Sequence, residues 1–278
     1  MSIAARFDPH SAEIYARYAA TGLRYRTVAQ ALLDEAGDLT GQSVVELGCR
    51  SGLLTGMLAQ AVGTLGFISA VDDSYELISI AREQVTAPNV KFILNDEYDI
   101  DSLIAGRQDA AFSNAAFWQY DQEEVLSAFH HLLKPGGNLY FNLSGGFFDF
   151  KASGIGSPRY DDWPYRQSDI LKRWVQLARK RYPYHLESPD PRATQRLAAQ
   201  LERDFQAAGF TIRAIKPVFF EIPRDDELDW LRIPVWTERF MGQIPDHERY
   251  AMLDEIFAQI PPDATFVGKW VTVVAERE

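Results

Sequence analysis

Four residues of this 278-residue chain, Glu46, Gly48, Gly52 and Asp72, combine type and spacing in a way that points to chemistry. Residues 44–55, Val-Val-Glu-Leu-Gly-Cys-Arg-Ser-Gly-Leu-Leu-Thr, read as an apolar strand that ends in an acid and runs through a glycine-bearing turn into a helix. Glycines at 48 and 52 let the backbone take a positive φ and let a ligand approach the main chain. The helix that begins near residue 52 aims its free N–H groups at the same place. Two glycines are equally compatible with an ordinary strand–turn–helix connection, so the segments that follow decide between the readings.

Those segments repeat one pattern. Phe67–Asp72 reads as a second buried strand closing on an acid, placed to accept both hydroxyls of a ribose. Val90–Asp96 gives a third strand, closing on Asn95, Asp96 and Glu97, and Asp109–Asn114 a fourth. Each carries its polar residues at its carboxyl end, where open α/β sheets bind ligands. The expected helices are 11–20, 23–37, 53–62, 75–86, 121–133, 168–182 and 192–208. A fifth strand follows Leu133-Lys-Pro-Gly-Gly137, and Phe210–Ile222 and Thr265–Glu276 read as two more, rich in Val, Thr and aromatics.

With these residues in view, the chain resembles the class I S-adenosylmethionine-dependent methyltransferases over about residues 5–145. Glu46-Leu-Gly-Cys-Arg-Ser-Gly52 is similar to that family's first motif, with Arg50 standing where a middle glycine is usual. An Arg50 side chain there either points to solvent or reaches a carboxylate. The N-terminal Phe7-Asp-Pro-His-Ser-Ala-Glu-Ile-Tyr15-Ala-Arg-Tyr18 resembles the cofactor-capping helix of small-molecule members such as malonyl-carrier-protein and trans-aconitate methyltransferases. Ser113-Asn114-Ala115-Ala116-Phe117-Trp118 resembles a segment of the same subgroup. The resemblance implies a Rossmann-like α/β fold with a seven-stranded sheet flanked by helices, and S-adenosylmethionine as cofactor. It implies cofactor contacts from Tyr15, Tyr18, Glu46, Gly48, Cys49, Gly52, Asp72, Asp73, Asp96, Glu97 and Asn114.

Organisation follows from the same frame. The chain reads as one domain, 1–278, with a cofactor cap at 1–22 and two insertions, 147–191 and 223–263, that the sheet does not need and that read as a helical lid. Helical patterns occur near 225–243 and 246–259. Aromatics in or beside the insertions, among them Phe147, Phe148, Phe150, Tyr160, Trp163, Phe219, Phe220, Trp230, Trp236 and Phe240, suit an acceptor with an apolar or aromatic part. Most aromatics at such spacings nonetheless serve packing.

Composition narrows the classes. A net charge of −11 argues against a nucleic-acid substrate, because a phosphate backbone demands a basic surface. Residues 151–203 run the other way, with 11 Lys/Arg against 6 Asp/Glu. Five of these cations, Lys172, Arg173, Arg179, Lys180 and Arg181, lie on one amphipathic helix. The plain reading is a solvated face; the sharper one is a dock for an anionic substrate or an acidic acyl-carrier protein. The single cysteine, Cys49, excludes an internal disulfide framework and offers no metal cluster, so no metal is expected. No charged-then-apolar leader or membrane-length run is present, which reads as cytoplasmic.

A methyltransferase needs a general base only for acceptors that must lose a proton. Of the five histidines, His130 and His131 end a helix and complement its dipole, and His247 reads as surface. His10 and His185 are the candidate bases. The expected function is methyl transfer to a small organic acceptor, free or carrier-bound, with oxygen favoured. The alternative is a protein that binds the cofactor without methylating, as a cofactor-assisted cyclase or scaffold. A nicotinamide site is disfavoured, because Gly48-x-Arg50-x-Gly52 lacks the G-x-G-x-x-G spacing.

Overall fold

A computed structural model describes residues 7–95, 100–156, 162–182 and 195–278. Two helices open it, α1 (Pro9–Thr21) and α2 (Leu23–Ala36), followed by β1 (Ser43–Leu47), α3 (Leu53–Val62), β2 (Phe67–Asp72), α4 (Tyr75–Gln84) and β3 (Val90–Leu94). Next come α5 (Ile100–Leu103), β4 (Gln108–Ser113), a 3-10 turn at Phe117–Gln119, α6 (Gln122–Leu132) and β5 (Leu133–Ser144). The remainder is α7 (Gln167–Arg181), α8 (Ala198–Ala207), β6 (Phe210–Pro223), α9 (Arg224–Leu231), α10 (Val235–Met241), α11 (Asp246–Phe257) and β7 (Thr265–Arg277).

Local chemistry sets the helix starts. Asp8 accepts the Ser11 N–H at 2.7 Å while the Ser11 hydroxyl oxygen accepts the Asp8 N–H at 3.0 Å, and Pro9 supplies a preset φ at the first helical position. Ser74 caps α4, its hydroxyl accepting the Leu77 N–H at 3.2 Å. Asp121 caps α6, which bears Glu123 and Glu124 in its first turn and His130 and His131 in its last, matching the helix dipole.

The seven strands lie in the order β3-β2-β1-β4-β5-β7-β6. β1 to β5 pair in parallel, whereas β7 inserts antiparallel between β5 and β6. Val44, Val45, Ile68, Ala70, Val71, Ala111 and Phe112 are buried, as strands covered on both faces require. The order reverses between β1 and β4, so the carboxyl ends of β1, β2 and β4 open one crevice at the topological switch point.

All seven expected strands form, and the sheet is the one the resemblance implies. Two helical expectations are corrected. The pattern over 225–243 divides into α9 and α10, because Pro234 lacks an N–H and constrains the residue before it. The helix expected over 192–208 is not helical at residues 195–197, where Arg196 bridges to Phe148, and begins at Ala198. α1, α2, α9 and α10 meet over the crevice in a cluster that includes Phe7, Tyr15, Tyr18, Tyr25, Ile233 and Val235, packed against Trp230 and Trp236.

Candidate functional site

The turn after β1 is built for close approach. Gly48 and Gly52 have φ of 72° and 87°, in the left-handed region that favours glycine. A Cβ at Gly48 would stand 2.4 Å from the Ala116 Cβ and 2.6 Å from the Tyr120 hydroxyl, so no larger residue fits. The N–H groups of Gly48 and Cys49 both donate to the Val71 carbonyl, at 2.9 and 3.0 Å, tying the turn to the tip of β2. Gly52 caps α3 without a side-chain partner, which leaves that helix's first N–H groups facing the crevice.

Asp72 is fully buried and held by the main chain. Its Oδ2 accepts the Arg50 N–H at 2.8 Å and its Oδ1 the Ser74 N–H at 3.0 Å. Arg50 keeps the left-handed backbone of the glycine it replaces, with φ 52°, and is 6% exposed. Its side chain folds over Asp72: Nη1 stands 3.8 Å from Asp72 Oδ1 and 4.0 Å from Asp73 Oδ1. Nη2 donates to the Gln119 Oε1, and the guanidinium lies 5.3 Å from the Phe7 ring centre. Of the two possibilities open for Arg50, the side chain takes the carboxylate.

Glu46 lies behind this pair. It is buried and accepts the Thr55 hydroxyl at 2.5 Å. Burial pushes its carboxyl up to about 8, the Thr55 bond opposing and the Asp72 charge adding, so Glu46 holds a proton at neutral pH. Asp73 is raised as well, by burial and by its charged neighbour Asp72. Burial also raises the Tyr15 hydroxyl and pushes Tyr25 up to about 12, so both phenols stay neutral. The Cys49 thiol is driven far up by the same desolvation, which makes it packing rather than a nucleophile.

Tyr15, Tyr25, Glu46, Gly48, Cys49, Arg50, Ser51 and Asn114 line the crevice. It encloses about 10 Å³, the room of roughly one water molecule. A larger hollow of about 310 Å³, lined by Leu39, Asp109, Lys134 and Tyr140, sits at the amino ends of β4 and β5, away from this chemistry.

Other expected residues fall elsewhere. The Tyr18 hydroxyl donates to Asp226 on α9 at 2.9 Å, so this tyrosine holds the second insertion rather than lining the crevice. His10 is exposed in the first turn of α1 and does not line the crevice. Asp96, Glu97, His185 and Tyr160 lie outside the described residues. Phe148 is buried in the main core, and Phe147 stacks on Trp118 with ring centres 4.1 Å apart.

Three residues at or beside the site escaped the sequence reading. Tyr25 reaches the crevice from α2, and Gln119 grips Arg50. Asn142 on β5 accepts the Ala115 N–H at 2.6 Å and donates to Asn114 Oδ1 at 2.7 Å. That brace supports Ala115, whose φ of 56° is strained for a residue with a Cβ. A polar residue at 142 inside an apolar strand was the available signal.

Acid-tipped β1 and β2, an αL turn and a reversed strand order at β1/β4 define the class I methyltransferase fold. Residues 44–137 match the family described as a methyltransferase domain. The chain is 36% identical over 140 residues to an arsenite methyltransferase of Aquipseudomonas alcaligenes, covering 47% of this chain and 38% of that one. It is 34% identical over 105 residues to a malonyl-[acyl-carrier protein] O-methyltransferase of Priestia megaterium, covering 37% of each. It thus spans under two fifths of the length of these curated relatives. A solved S-adenosylmethionine-dependent methyltransferase from Aquifex aeolicus shares the fold, with a TM-score of 0.54 at 14% identity over 98% of this chain and all of that one.

Among the described residues no group of three or more His, Cys, Asp or Glu is placed to hold a metal, and no helix is long and apolar enough to cross a membrane.

Proposed function

We propose that this protein is an S-adenosylmethionine-dependent methyltransferase acting on a small organic acceptor, with oxygen the favoured atom. The observation that carries the reading is the pairing of a buried Asp72 at the tip of β2 with the αL turn Gly48–Gly52 at the tip of β1. The donor set suits the cofactor. Asp72 would accept the ribose hydroxyls, and the turn and the first N–H groups of α3 would meet the amino-acid end. Glu46 would give up its proton to face the ammonium. When bound, the cofactor supplies a methyl group already activated on a sulfonium.

The chain's own contribution is alignment and exclusion of water. Phe7, Tyr15, Trp230 and Trp236 form an apolar roof from the cap (1–22) and the second insertion (223–263), which we read as a lid. The Trp230 indole N–H donates to the Tyr25 hydroxyl at 2.9 Å, joining roof to crevice.

A free small molecule is favoured over a carrier-bound one. Three of the five basic residues of α7 are engaged within the chain: Lys172 with Asp169 at 3.4 Å, Arg173 with Gln259 at 2.6 Å, and Arg181 with Glu255. The position of Arg50 over Asp72 is compatible with a second reading, a cofactor-binding protein that does not methylate, as a cofactor-assisted cyclase or scaffold. Calorimetric titration with S-adenosylmethionine and S-adenosylhomocysteine, followed by product detection over carboxylate, phenol and amine acceptors, separates the two. Binding with product supports methyl transfer; binding without product across the panel supports the second; no binding of either removes both.

A further inference from the structure

We propose that Arg50 is a displaceable internal occupant of the ribose subsite and, once displaced, the anchor for an acceptor that carries a carboxylate. The inference rests on the cofactor reading above. Both main-chain partners of Asp72 are fixed, Arg50 N–H on Oδ2 and Ser74 N–H on Oδ1, which leaves one acceptor direction on each oxygen, and Nη1 stands 3.8 Å from Oδ1, on the direction that oxygen has left. Ribose hydroxyls bound to Asp72 need that same direction. Guanidinium and ribose therefore compete for one carboxylate, and the crevice of about 10 Å³ has no room for both.

Displacement leaves Arg50 tethered at its far end. Nη2 still meets Gln119 from the 3-10 turn after β4, and Phe7 from the cap flanks the guanidinium. Both belong to elements other than β2, which carries Asp72, so the guanidinium keeps them when it leaves that carboxylate. Arg50 is the one cation among the residues lining the crevice. A buried guanidinium stripped of its carboxylate and set near a sulfonium is unfavourable on two counts, desolvation and like charge. A carboxylate on the acceptor relieves both, and the guanidinium fork matches its two oxygens.

The chemistry closes without a base. A carboxylate oxygen forms the new O–CH₃ bond as the S–CH₃ bond breaks, and the bonding pair stays on sulfur. No proton moves, in keeping with a crevice whose phenols are held neutral and with His10 exposed outside it.

Three consequences are measurable by calorimetric titration of the full chain. Wild type binds S-adenosylhomocysteine, neutral at sulfur, about tenfold more tightly than S-adenosylmethionine, in the range of ordinary coupling energies. Benzoate tightens S-adenosylmethionine binding by about fivefold or more while neutral benzamide does not, and the effect is reciprocal. Arg50→Gly, which restores the residue type suited to this φ, erases both the preference and the benzoate effect and raises S-adenosylmethionine affinity. Arg50→Lys retains both, which separates loss of charge from loss of fold; melting curves of each variant accompany the titrations. Equal affinities for the two ligands, no response to benzoate and no change in Arg50→Gly overturn the proposal while leaving the methyltransferase reading intact. No binding of either ligand by wild type and Arg50→Gly alike overturns both.

Discussion

Among the arginines buried beside carboxylates, Arg24 and Arg50 are built differently. Arg24 of α2 meets Glu227 of α9 at 2.5 Å, with side chains 7% and 1% exposed. The second Glu227 oxygen accepts Gln167 from α7 at 2.8 Å, and Trp230 stacks 4.3 Å from the Arg24 guanidinium. Arg50 stands 3.8 Å from Asp72, whose oxygens are already served by N–H groups. The first pair joins three helices through side chains alone, so neither partner has another place to go. The second is loose because the main chain stabilises the carboxylate with or without the guanidinium. A tight side-chain pair makes a latch; a loose pair over a preformed acid makes a group that can be exchanged for a ligand.

The largest effect should come from Glu227→Ala. Removing one partner leaves Arg24 buried without its carboxylate, a loss of about 3–5 kcal/mol of stability. Chemical denaturation checks it, and an unchanged midpoint would mean that the latch holds nothing. Asp72→Ala should act mainly on binding. Loss of charge-assisted hydrogen bonds costs about 1.5–3 kcal/mol of S-adenosylmethionine affinity, read by calorimetry; unchanged affinity would remove the ribose assignment.

Glu46 sharpens the comparison through pH. Its folded carboxyl titrates at about 8, above the unfolded range, so between those values the folded protein holds a proton that the unfolded chain lacks. Ligand-free stability should therefore fall as pH rises through that window. Glu46→Gln should flatten the fall across that window; parallel pH profiles for wild type and variant would contradict the assignment. The exposed pair Arg181–Glu255, 41% and 48% accessible, is the control. Arg181→Ala should cost about 0–1 kcal/mol, and a loss as large as that of Glu227→Ala would mean that burial does not separate the pairs.

The positions of the strands, their acid tips and the glycine turn were legible because each depends on a short stretch of chain. Parallel strands covered on both faces must be apolar runs, and a left-handed turn must carry glycine or tolerate strain. The two insertions were legible only as segments the sheet did not need. Tyr18 shows the limit: its spacing from Tyr15 predicts a shared face, yet only Tyr15 reaches the crevice, because Asp226, some two hundred residues away, takes the Tyr18 hydroxyl.

By itself the sequence determined that residues 44–72 would present Glu46 and Asp72 at neighbouring strand tips around a glycine turn, since strand period and backbone sterics are local. Only the tertiary structure decided what those acids meet. Gln119, Phe7 and the fold of the Arg50 side chain over Asp72 come together from three separate elements, as do Arg24, Gln167 and Glu227. Which arginine becomes a latch and which a removable occupant depends on whether the main chain also serves the carboxylate, and that is a property of packing, not of spacing along the chain.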